Sequence, residues 1–318
     1  KGGFANASVY NYAGIILQNS SDVALSAAYF NAALNLEPEN ILALNNISLS
    51  YFLIGKENEA VECLEKALKI APDDYETYYN LGFIYFKMNQ LEKAEEQYLK
   101  VLNLNPNHKA SKWNLGEIYL SREIPEKAEI IFNELYNNDK NNNEAKYNLA
   151  VSLQKQKKYI EALNFYDEVK KDEKLAAKAL FNSGNIFKEK KESKKAEECY
   201  IEALKYDSGN CEIWNNLGLV QIETFEYGKA ENSFRNALHL KPFYTDAISN
   251  LAALYYEMEK PDEAIKTYNS AIEISPENDL HFNKALALLT KGNYEEGFKE
   301  YEYRDSKLKN DNRYKKIW

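Results

Sequence analysis

A period of 34 residues constrains the fold of this chain more than any other feature of its sequence. An asparagine recurs at that spacing at Asn46, Asn80, Asn114, Asn148, Asn182, Asn216 and Asn250, and Asn283 follows one residue early. A fixed period between about 20 and 50 residues is typical of solenoids, in which each repeat buries its apolar face against its neighbours. The sequence therefore predicts a stack of similar repeats that share one long surface.

Eight repeats can be written in a single phase. They begin at Ala7, Ile41, Tyr75, Lys109, Asn143, Ala177, Cys211 and Thr245. Position 8 is always small, position 20 is Ala in every repeat after the first, and position 24 is always large. Small residues let two helices approach closely, and the large residue fills the space beside them. We therefore predict two helices, A and B, in each repeat.

Prolines mark the ends of these helices. Pro125 and Pro261 stand at position 17, where a second helix begins, and five repeats carry Pro at position 32, where it ends. The middle repeats have Lys140, Lys174 and Ser208 at position 32 instead. This weakens their stop signals, but we expect the phase to be undisturbed.

The pattern resembles the tetratricopeptide repeat (TPR), a helix-turn-helix of about 34 residues. The resemblance implies an all-α, right-handed superhelical solenoid with eight full repeats within residues 1–278 and an imperfect ninth, 279–304, as a cap. Residues 305–318 contain no repeat pattern. We predict that they form a tail or a stub that leads to a following domain.

Composition excludes several classes of function. The net charge of −9 argues against nucleic acid as a partner and slightly favours a basic one. No apolar run approaches the length of a membrane span. Three cysteines give no disulfide framework, which favours a reducing, cytoplasmic location. The three histidines are isolated, so we predict no metal, cofactor or catalytic residue, and the chain itself is not expected to be an enzyme.

The asparagines of position 6 form the candidate binding site, and we call them the asparagine ladder. Helical geometry groups position 6 with positions 2, 9 and 13, opposite the apolar positions 4, 7, 8 and 11, on the concave surface of the predicted superhelix. Asparagine costs about 0.5 kcal/mol relative to Ala in a helix, so its repetition needs a reason. One hypothesis is that the amide donors and acceptors hold the backbone of an extended polypeptide. The distance between neighbouring helices, about 10 Å, is close to the length of three residues of extended chain. The alternative is that each asparagine bonds to the adjacent helix.

Aromatic side chains flank the ladder. Tyr79, Trp113, Tyr147 and Phe181 occupy position 5 of four consecutive repeats, and Phe83 and Phe86 lie in the early groove. Such a strip indicates a binding surface, or else packing between successive A helices. Further on, the groove turns acidic through Glu212, Glu223, Asp246 and Glu257. These carboxylates either steer a basic segment or form an ordinary solvated face.

The unbroken ladder resembles the TPR region of O-linked N-acetylglucosamine transferase. Residues 283–304 also resemble the closing segment of bacterial TPR arrays that lead into a glycosyltransferase domain, through Asn283, Ala285, Leu286, Gly292, Tyr294, Gly297, Tyr301 and Arg304. The resemblance implies a substrate-recruiting module that continues covalently into a catalytic domain of a larger protein-modifying enzyme. A free-standing scaffold or adaptor in a secretion, motility or assembly complex, and a self-assembling TPR protein, remain as alternatives.

Overall fold

The computed structural model describes residues 6–20 and 22–304, apart from the side chain of Asn278. The predicted tail, residues 305–318, lies outside the described residues. Within them all regular structure is helical, which confirms the all-α prediction. The helices are α1 (Ala7–Asn19), α2 (Val23–Leu36), α3 (Ile41–Leu53), α4 (Glu57–Ile70), α5 (Tyr75–Lys87), α6 (Leu91–Leu104), α7 (Lys109–Ser121), α8 (Pro125–Asn138), α9 (Asn143–Lys155), α10 (Tyr159–Val169), α11 (Glu173–Glu189), α12 (Ser193–Tyr206), α13 (Cys211–Glu223), α14 (Tyr227–Leu240), α15 (Thr245–Glu257), α16 (Pro261–Ile274), α17 (Asn278–Lys291) and α18 (Tyr294–Tyr301).

Helix boundaries follow the phase of the sequence repeat. Odd-numbered helices are the A helices and even-numbered helices the B helices. Side chains before many A helices cap them, as where Asp74 and Asn210 accept hydrogen bonds from backbone N–H groups of the first turn. Pro125 and Pro261 are the first residues of α8 and α16, as predicted. The periodic capping and proline signals therefore act at the same positions from repeat to repeat.

One boundary departs from the phase. Helix α10 ends at Val169, and α11 begins at Glu173, four residues before Ala177. Lys174 stands where proline is usual, and its backbone N–H donates to the capping carboxylate of Asp172. Because no proline restricts the backbone there, the A helix begins early. The early start lengthens one helix and does not shift the repeat phase, because α11 still ends at Glu189, position 13, and α12 begins at Ser193, position 17.

The chain divides into two compact units, Lys1–Ala145 and Lys146–Trp318, and α9 contains the boundary. Within each unit the core is built from position 24 rings, such as Phe132 in the first and Phe234 in the second, both fully buried. Where position 8 is glycine, the ring lies directly against it. A Cβ added at Gly116 would stand 2.6 Å from the ring of Phe132. The small residue therefore sets how closely helices A and B of a repeat approach.

Hydrogen bonds also join neighbouring repeats, between side chains 24 residues apart. Tyr119 donates to Glu95 over 3.0 Å in the first unit, and Tyr255 donates to Glu231 over 2.9 Å in the second. These pairs link position 21 of one B helix to position 11 of the next A helix. They orient successive repeats by polar contacts as well as by apolar packing.

The last two helices, α17 and α18, form a shorter pair. Glu300 on α18 accepts from Lys284 on α17 over 2.8 Å and also hydrogen-bonds the ring of His281. Although burial opposes the charge, these two partners hold the pKa of Glu300 below its ordinary value. A left-handed Gly292, with φ 88°, ends α17. No helix in residues 6–20 and 22–304 combines the length and apolar character needed to cross a lipid bilayer.

Candidate functional site

The asparagine ladder lies on the A helices α3, α5, α7, α9, α11, α13 and α15, and each of its side chains is half-buried. In three repeats the amide nitrogen donates to the position 5 asparagine of the preceding A helix. These bonds are Asn46 Nδ2 to Asn11 Oδ1 (3.0 Å), Asn80 Nδ2 to Asn45 Oδ1 (2.8 Å) and Asn250 Nδ2 to Asn215 Oδ1 (2.9 Å). In these three repeats the amide nitrogen therefore holds two successive A helices together.

Two further ladder amides donate to tyrosine hydroxyls. Asn114 donates to Tyr98 over 2.9 Å, and Asn182 donates to Tyr147 and Tyr166 over 3.0 and 3.2 Å. Burial raises the pKa of Tyr166 well above its ordinary value, so the hydroxyl stays neutral and needs hydrogen-bond partners. The asparagine supplies one of them from the next repeat.

Asn148 and Asn216 differ from the other members. The side chain of Asn148 makes no hydrogen bond to another described residue of its own unit. Asn216 Nδ2 donates to Asn185 Oδ1 over 3.1 Å, while its own Oδ1 accepts from Lys188 over 3.4 Å. The ladder is thus regular in position but not in its hydrogen bonds.

The amide oxygens carry the binding potential of the ladder. Among the described residues, no side chain or backbone group donates to Oδ1 of Asn46, Asn80, Asn114, Asn182 or Asn250. An amide whose nitrogen is engaged by its own fold still offers an acceptor with two lone pairs. Neighbouring repeats take one N–H of Asn46, Asn80, Asn114 and Asn250. They take two hydrogen bonds from Asn182. The expectation that each amide presents donors and an acceptor together is therefore narrowed: the oxygen is free in all five, and a second N–H remains in four. The contact to the adjacent helix and the binding hypothesis are compatible.

The aromatic residues of position 5 lie beside the B helix of their own repeat. Ring centroids of Tyr79, Trp113, Tyr147 and Phe181 stand between 5.5 and 6.0 Å from the position 24 rings. All four side chains are half-buried. Two of them also contact the next A helix, as the alternative expectation of packing between successive A helices has it. Tyr147 accepts from Asn182 on α11, and the ring of Tyr79 stands 5.0 Å from His108, which caps α7. The same expectation describes Phe83, whose ring lies 6.5 Å from Phe52 on the preceding A helix. Phe86 is also half-buried, with the Lys87 ammonium 5.9 Å from its ring.

The second unit contains a groove of about 780 Å³ between α11, α13 and α15. Asn216 and Asn250 line it, as do apolar Leu219 and Ile222. Asn185 is a lining residue that the sequence interpretation missed, although a polar residue at position 9 was a visible departure from Phe83 and Leu219. We call this the α11–α13–α15 groove.

Charged residues complete the α11–α13–α15 groove. Glu189, Glu223 and Glu257, all at position 13, line it together with Lys188 and Lys191. Of the four carboxylates expected in an acidic groove, Glu223 and Glu257 are brought here. Glu212 and Asp246, at position 2, are not among its lining residues. Burial lowers the pKa of the Lys188 ammonium, which reflects its half-buried place in the groove.

Reactive centres are sparse in the part of the chain that the structure describes. It holds no cluster of three or more His, Cys, Asp or Glu side chains able to bind a metal ion. Burial raises the pKa of Cys63 and of Cys199 to about 11, so both remain thiols at neutral pH. These thiols are therefore unsuited to nucleophilic chemistry.

Family models agree with the helical repeat. Models described as TPR repeat or tetratricopeptide repeat match residues 49–89, 75–108, 144–172, 177–210, 212–244 and 245–278, which together cover more than half of the chain. The chain belongs to the tetratricopeptide-repeat family. Such repeats form scaffolds for protein–protein interaction and are a non-catalytic module.

Solved structures resemble the fold at low sequence identity. A tetratricopeptide repeat protein from Parabacteroides merdae is 16% identical, with a TM-score of 0.59 over 78% of this chain and 98% of that chain. The Cut9–Hcn1 hetero-tetramer of the APC/C is 16% identical, with a TM-score of 0.56 over 84% of this chain and 52% of the other. Pseudomonas aeruginosa pilF is 18% identical, with a TM-score of 0.55 over 68% and 97%. No curated protein sequence matches the chain.

Proposed function

We propose that the chain binds an extended polypeptide along its A helices, and that the amide oxygens of the asparagine ladder accept hydrogen bonds from the backbone of that polypeptide. The proposal is carried by five of the seven ladder amides, in which the nitrogen and the oxygen have different partners. They are Asn46, Asn80, Asn114, Asn182 and Asn250. The nitrogen is fixed by a neighbouring repeat, as in Asn250 to Asn215 at 2.9 Å, and the oxygen is left to a partner. A backbone N–H is the complementary group, and every residue except proline provides one.

The α11–α13–α15 groove is the most favourable place for such a partner. It contains two ladder members, Asn216 and Asn250, beside apolar Leu219 and Ile222. A strand of about four residues would pass both asparagines, because neighbouring helices stand about 10 Å apart. Asn216 already accepts from Lys188 at a long 3.4 Å, so its oxygen keeps a second lone pair for a peptide.

We propose further that this module recruits polypeptide substrates for a larger, glycosyltransferase-like enzyme in the cytoplasm. The support is the sequence likeness of residues 283–304 and the run of ladder asparagines. Two other functions fit the same repeats: a free-standing scaffold or adaptor, and a self-assembling protein. Several hundred codons after that of Trp318 in the native reading frame would favour the enzyme, and a stop codon there would favour the scaffold.

One observation favours self-assembly as the second candidate. Val9 and Ile16 on α1 are 61% and 68% exposed, whereas Ile84 and Ile118, which match Ile16 in position, are almost completely buried. A second copy of the chain could cover this apolar face. Light scattering across a range of concentrations tests it, since a constant monomer mass would remove this candidate.

The peptide proposal is tested with a random peptide library selected on the purified full chain. Calorimetry then compares the wild type with the double variant Asn216→Ala/Asn250→Ala. The matched control is Asn232→Ala/Asn269→Ala, two exposed asparagines on the B helices of the same repeats. Each lost hydrogen bond is worth about 0.5–1.5 kcal/mol, so we expect roughly a tenfold or greater loss of affinity in the ladder variant alone.

A further variant separates binding from stability. Asn250→Asp removes the donor to Asn215 but keeps acceptor oxygens, so it should retain peptide affinity more fully than Asn250→Ala. Circular dichroism checks that both variants remain folded. Equal affinities of the ladder and control variants for every selected peptide would reject the proposal.

A further inference from the structure

The α11–α13–α15 groove has a carboxylate on each of its three helices, at the same repeat position. Glu189, Glu223 and Glu257 follow one another at intervals of 34 residues and all line the groove. The earlier A helices carry no such row, because position 13 is Leu53, Lys87, Ser121 or Lys155 in repeats two to five. The row is therefore a local property of this groove and not of the repeat in general.

The three carboxylates differ in how far their own fold engages them. Glu189 forms an ion pair with Lys157 at 3.9 Å, and its hydrogen bond to Tyr159 adds to burial in raising the pKa of that tyrosine to about 12. Glu223 accepts one hydrogen bond, from the Ser193 hydroxyl. Glu257 makes no hydrogen bond or ion pair with another described residue. The carboxylates on α13 and α15 thus keep most of their acceptor capacity.

The cations of the groove lie at its α11 side. Lys188 lies in α11, and Lys191 is the second residue after it. The Lys188 ammonium donates to Asn216 Oδ1 at 3.4 Å and lies near enough to Glu223 for that carboxylate to oppose the effect of burial on the lysine pKa. On the α13 and α15 side no Lys or Arg is among the lining residues. The charge of the groove therefore changes from mixed at α11 to negative at α13 and α15. An acidic segment would meet repulsion over that second part.

We propose that the α13 and α15 side of the groove binds a segment with two basic residues three positions apart, Lys or Arg in each place, one at Glu223 and one at Glu257. This rests on the proposed function, since the asparagines are to hold the backbone of the same segment. Adjacent A helices stand about 10 Å apart. Three residues of an extended polyproline II chain span about 9 Å and complete one turn, so side chains and N–H groups three positions apart face the same side. One basic side chain for each repeat is thus in register with one backbone hydrogen bond for each repeat.

The spacing can be tested with designed peptides on the full chain. Fluorescently labelled peptides of about twelve residues, long enough to cross three repeats, are built from Ser, Thr and Gly. One carries Lys-x-x-Lys, a second carries Lys-x-Lys with the same composition, and a third carries Glu-x-x-Glu. Fluorescence anisotropy at low salt measures their affinities. We expect Lys-x-x-Lys to bind most tightly, and Glu-x-x-Glu to bind most weakly.

Charge variants assign the contacts to the two carboxylates. Glu223→Gln/Glu257→Gln should weaken the binding of Lys-x-x-Lys about fivefold, the range expected for two exposed ion pairs. The control Glu263→Gln/Glu273→Gln removes the same charge from exposed positions on α16 and should change it little. Glu223→Lys/Glu257→Lys should reverse the preference in favour of Glu-x-x-Glu.

The outcomes distinguish this inference from the function on which it rests. Equal binding of the two lysine peptides, or equal losses in the groove and control variants, overturns the inference. If no designed peptide binds but library-selected peptides still depend on Asn216 and Asn250, the inference alone is overturned. If the selected peptides also ignore both asparagines, the proposed function falls with it.

Discussion

At the scale of single residues, the contact between positions 8 and 24 fixes the distance between the two helices of a repeat. A Cβ at Gly116 would lie 2.6 Å from the ring of Phe132, which is fully buried. Gly184 faces Tyr200 in the same way, at 2.5 Å. Because buried rings have little free space to move into, added volume at position 8 must push the helices apart.

Gly116→Ala should therefore destabilise the fold. Overpacking costs about 1–3 kcal/mol, and the better helix propensity of Ala returns about 1 kcal/mol, so the free energy of unfolding should fall by about 1 kcal/mol. The control is Gly228→Ala on α14, where an added Cβ meets no atom within 4 Å. It should be neutral or stabilising. Chemical denaturation followed by circular dichroism measures both, and an equal gain in the two variants would contradict the packing argument.

The sequence predicted the positions of the ladder asparagines but not the direction of their amides. Asn114 and Asn182 find their hydroxyl partners 16 residues earlier in the chain, and Asn182 finds a second one 35 residues earlier. Those partners are brought close only when successive repeats stack. A spacing rule along one helix contains no information about such contacts.

At the scale of elements, the turn between helices A and B uses a left-handed backbone at position 15 of repeats two to eight. One of these residues is Gly55, with φ 78°, and the others have φ between 56° and 61°. They are Asn89, Glu123, Lys157, Lys191, Phe225 and Glu259. A residue with a side chain is destabilised by about 1 kcal/mol in this conformation. Replacing such a residue by glycine should therefore stabilise the fold.

Substitutions at position 15 should change stability in opposite directions. Glu259→Gly should raise the free energy of unfolding by about 0.5 kcal/mol, because relief of the left-handed backbone exceeds the larger entropy of the unfolded glycine. Gly55→Ala should lower it by about 1 kcal/mol. An added Cβ at Gly55 meets no atom within 4 Å, so that loss reports on the backbone alone. Thermal denaturation is the measurement, and changes of the same sign in both variants would refute this account.

The α17–α18 pair should depend on pH through Glu300. Its pKa is lowered from 4.5, against the effect of burial, by Lys284 and His281. A carboxyl with a lowered pKa contributes stability that is fully present above its unfolded value and is lost as the pH falls through its folded value. The contribution should therefore be present above about pH 4.5 and decline progressively below it.

Glu300→Gln tests this pH dependence. At neutral pH it should lower stability by about 2 kcal/mol, because the buried Lys284 ammonium then keeps only Glu296, a half-exposed carboxylate at 3.3 Å. The control Glu295→Gln removes an ion pair with Lys299 whose side chains are 86% and 73% exposed, and should change stability little. Denaturation at neutral pH and well below pH 4.5 gives the comparison. A difference between wild type and Glu300→Gln that persists unchanged in acid would contradict the assignment.

At the scale of the whole molecule, the same repeat position contributes less to stability in the first helix than in the helices that follow a preceding repeat. Ile16 on α1 is 68% exposed, while Ile118 on α7, also at position 10, is fully buried. The difference arises because α7 packs against α6 of the preceding repeat and α1 has no described helix before it. Burial of an isoleucine contributes to stability only where apolar neighbours cover it.

Alanine substitutions at Ile118 and Ile16 should show how much the burial of each side chain contributes to stability. Ile118→Ala should cost about 2–5 kcal/mol, and Ile16→Ala less than about 0.5 kcal/mol. If a second copy covers α1, Ile16→Ala will also reduce the concentration dependence of the mass in light scattering. A large loss of stability in Ile16→Ala without any change of mass would mean that other residues of the chain bury this side chain.

The repeat phase predicted most of the helices, since capping residues, prolines and position 8 act locally. The early start of α11 was not predictable from it, because the absence of proline at Lys174 permits an extension without requiring one. The division into Lys1–Ala145 and Lys146–Trp318 was also missed. A regular period gives no signal of such a boundary, because every repeat carries the same packing positions.

The central claim is that ladder oxygens hold the backbone of an extended polypeptide. A crystal structure of the full chain with its tightest library-selected peptide tests this most directly. We predict that peptide N–H groups about three residues apart lie within about 3.2 Å of Oδ1 of Asn216 and Asn250. A peptide seated on the B helices, or one that leaves both amide oxygens facing solvent, would contradict the account.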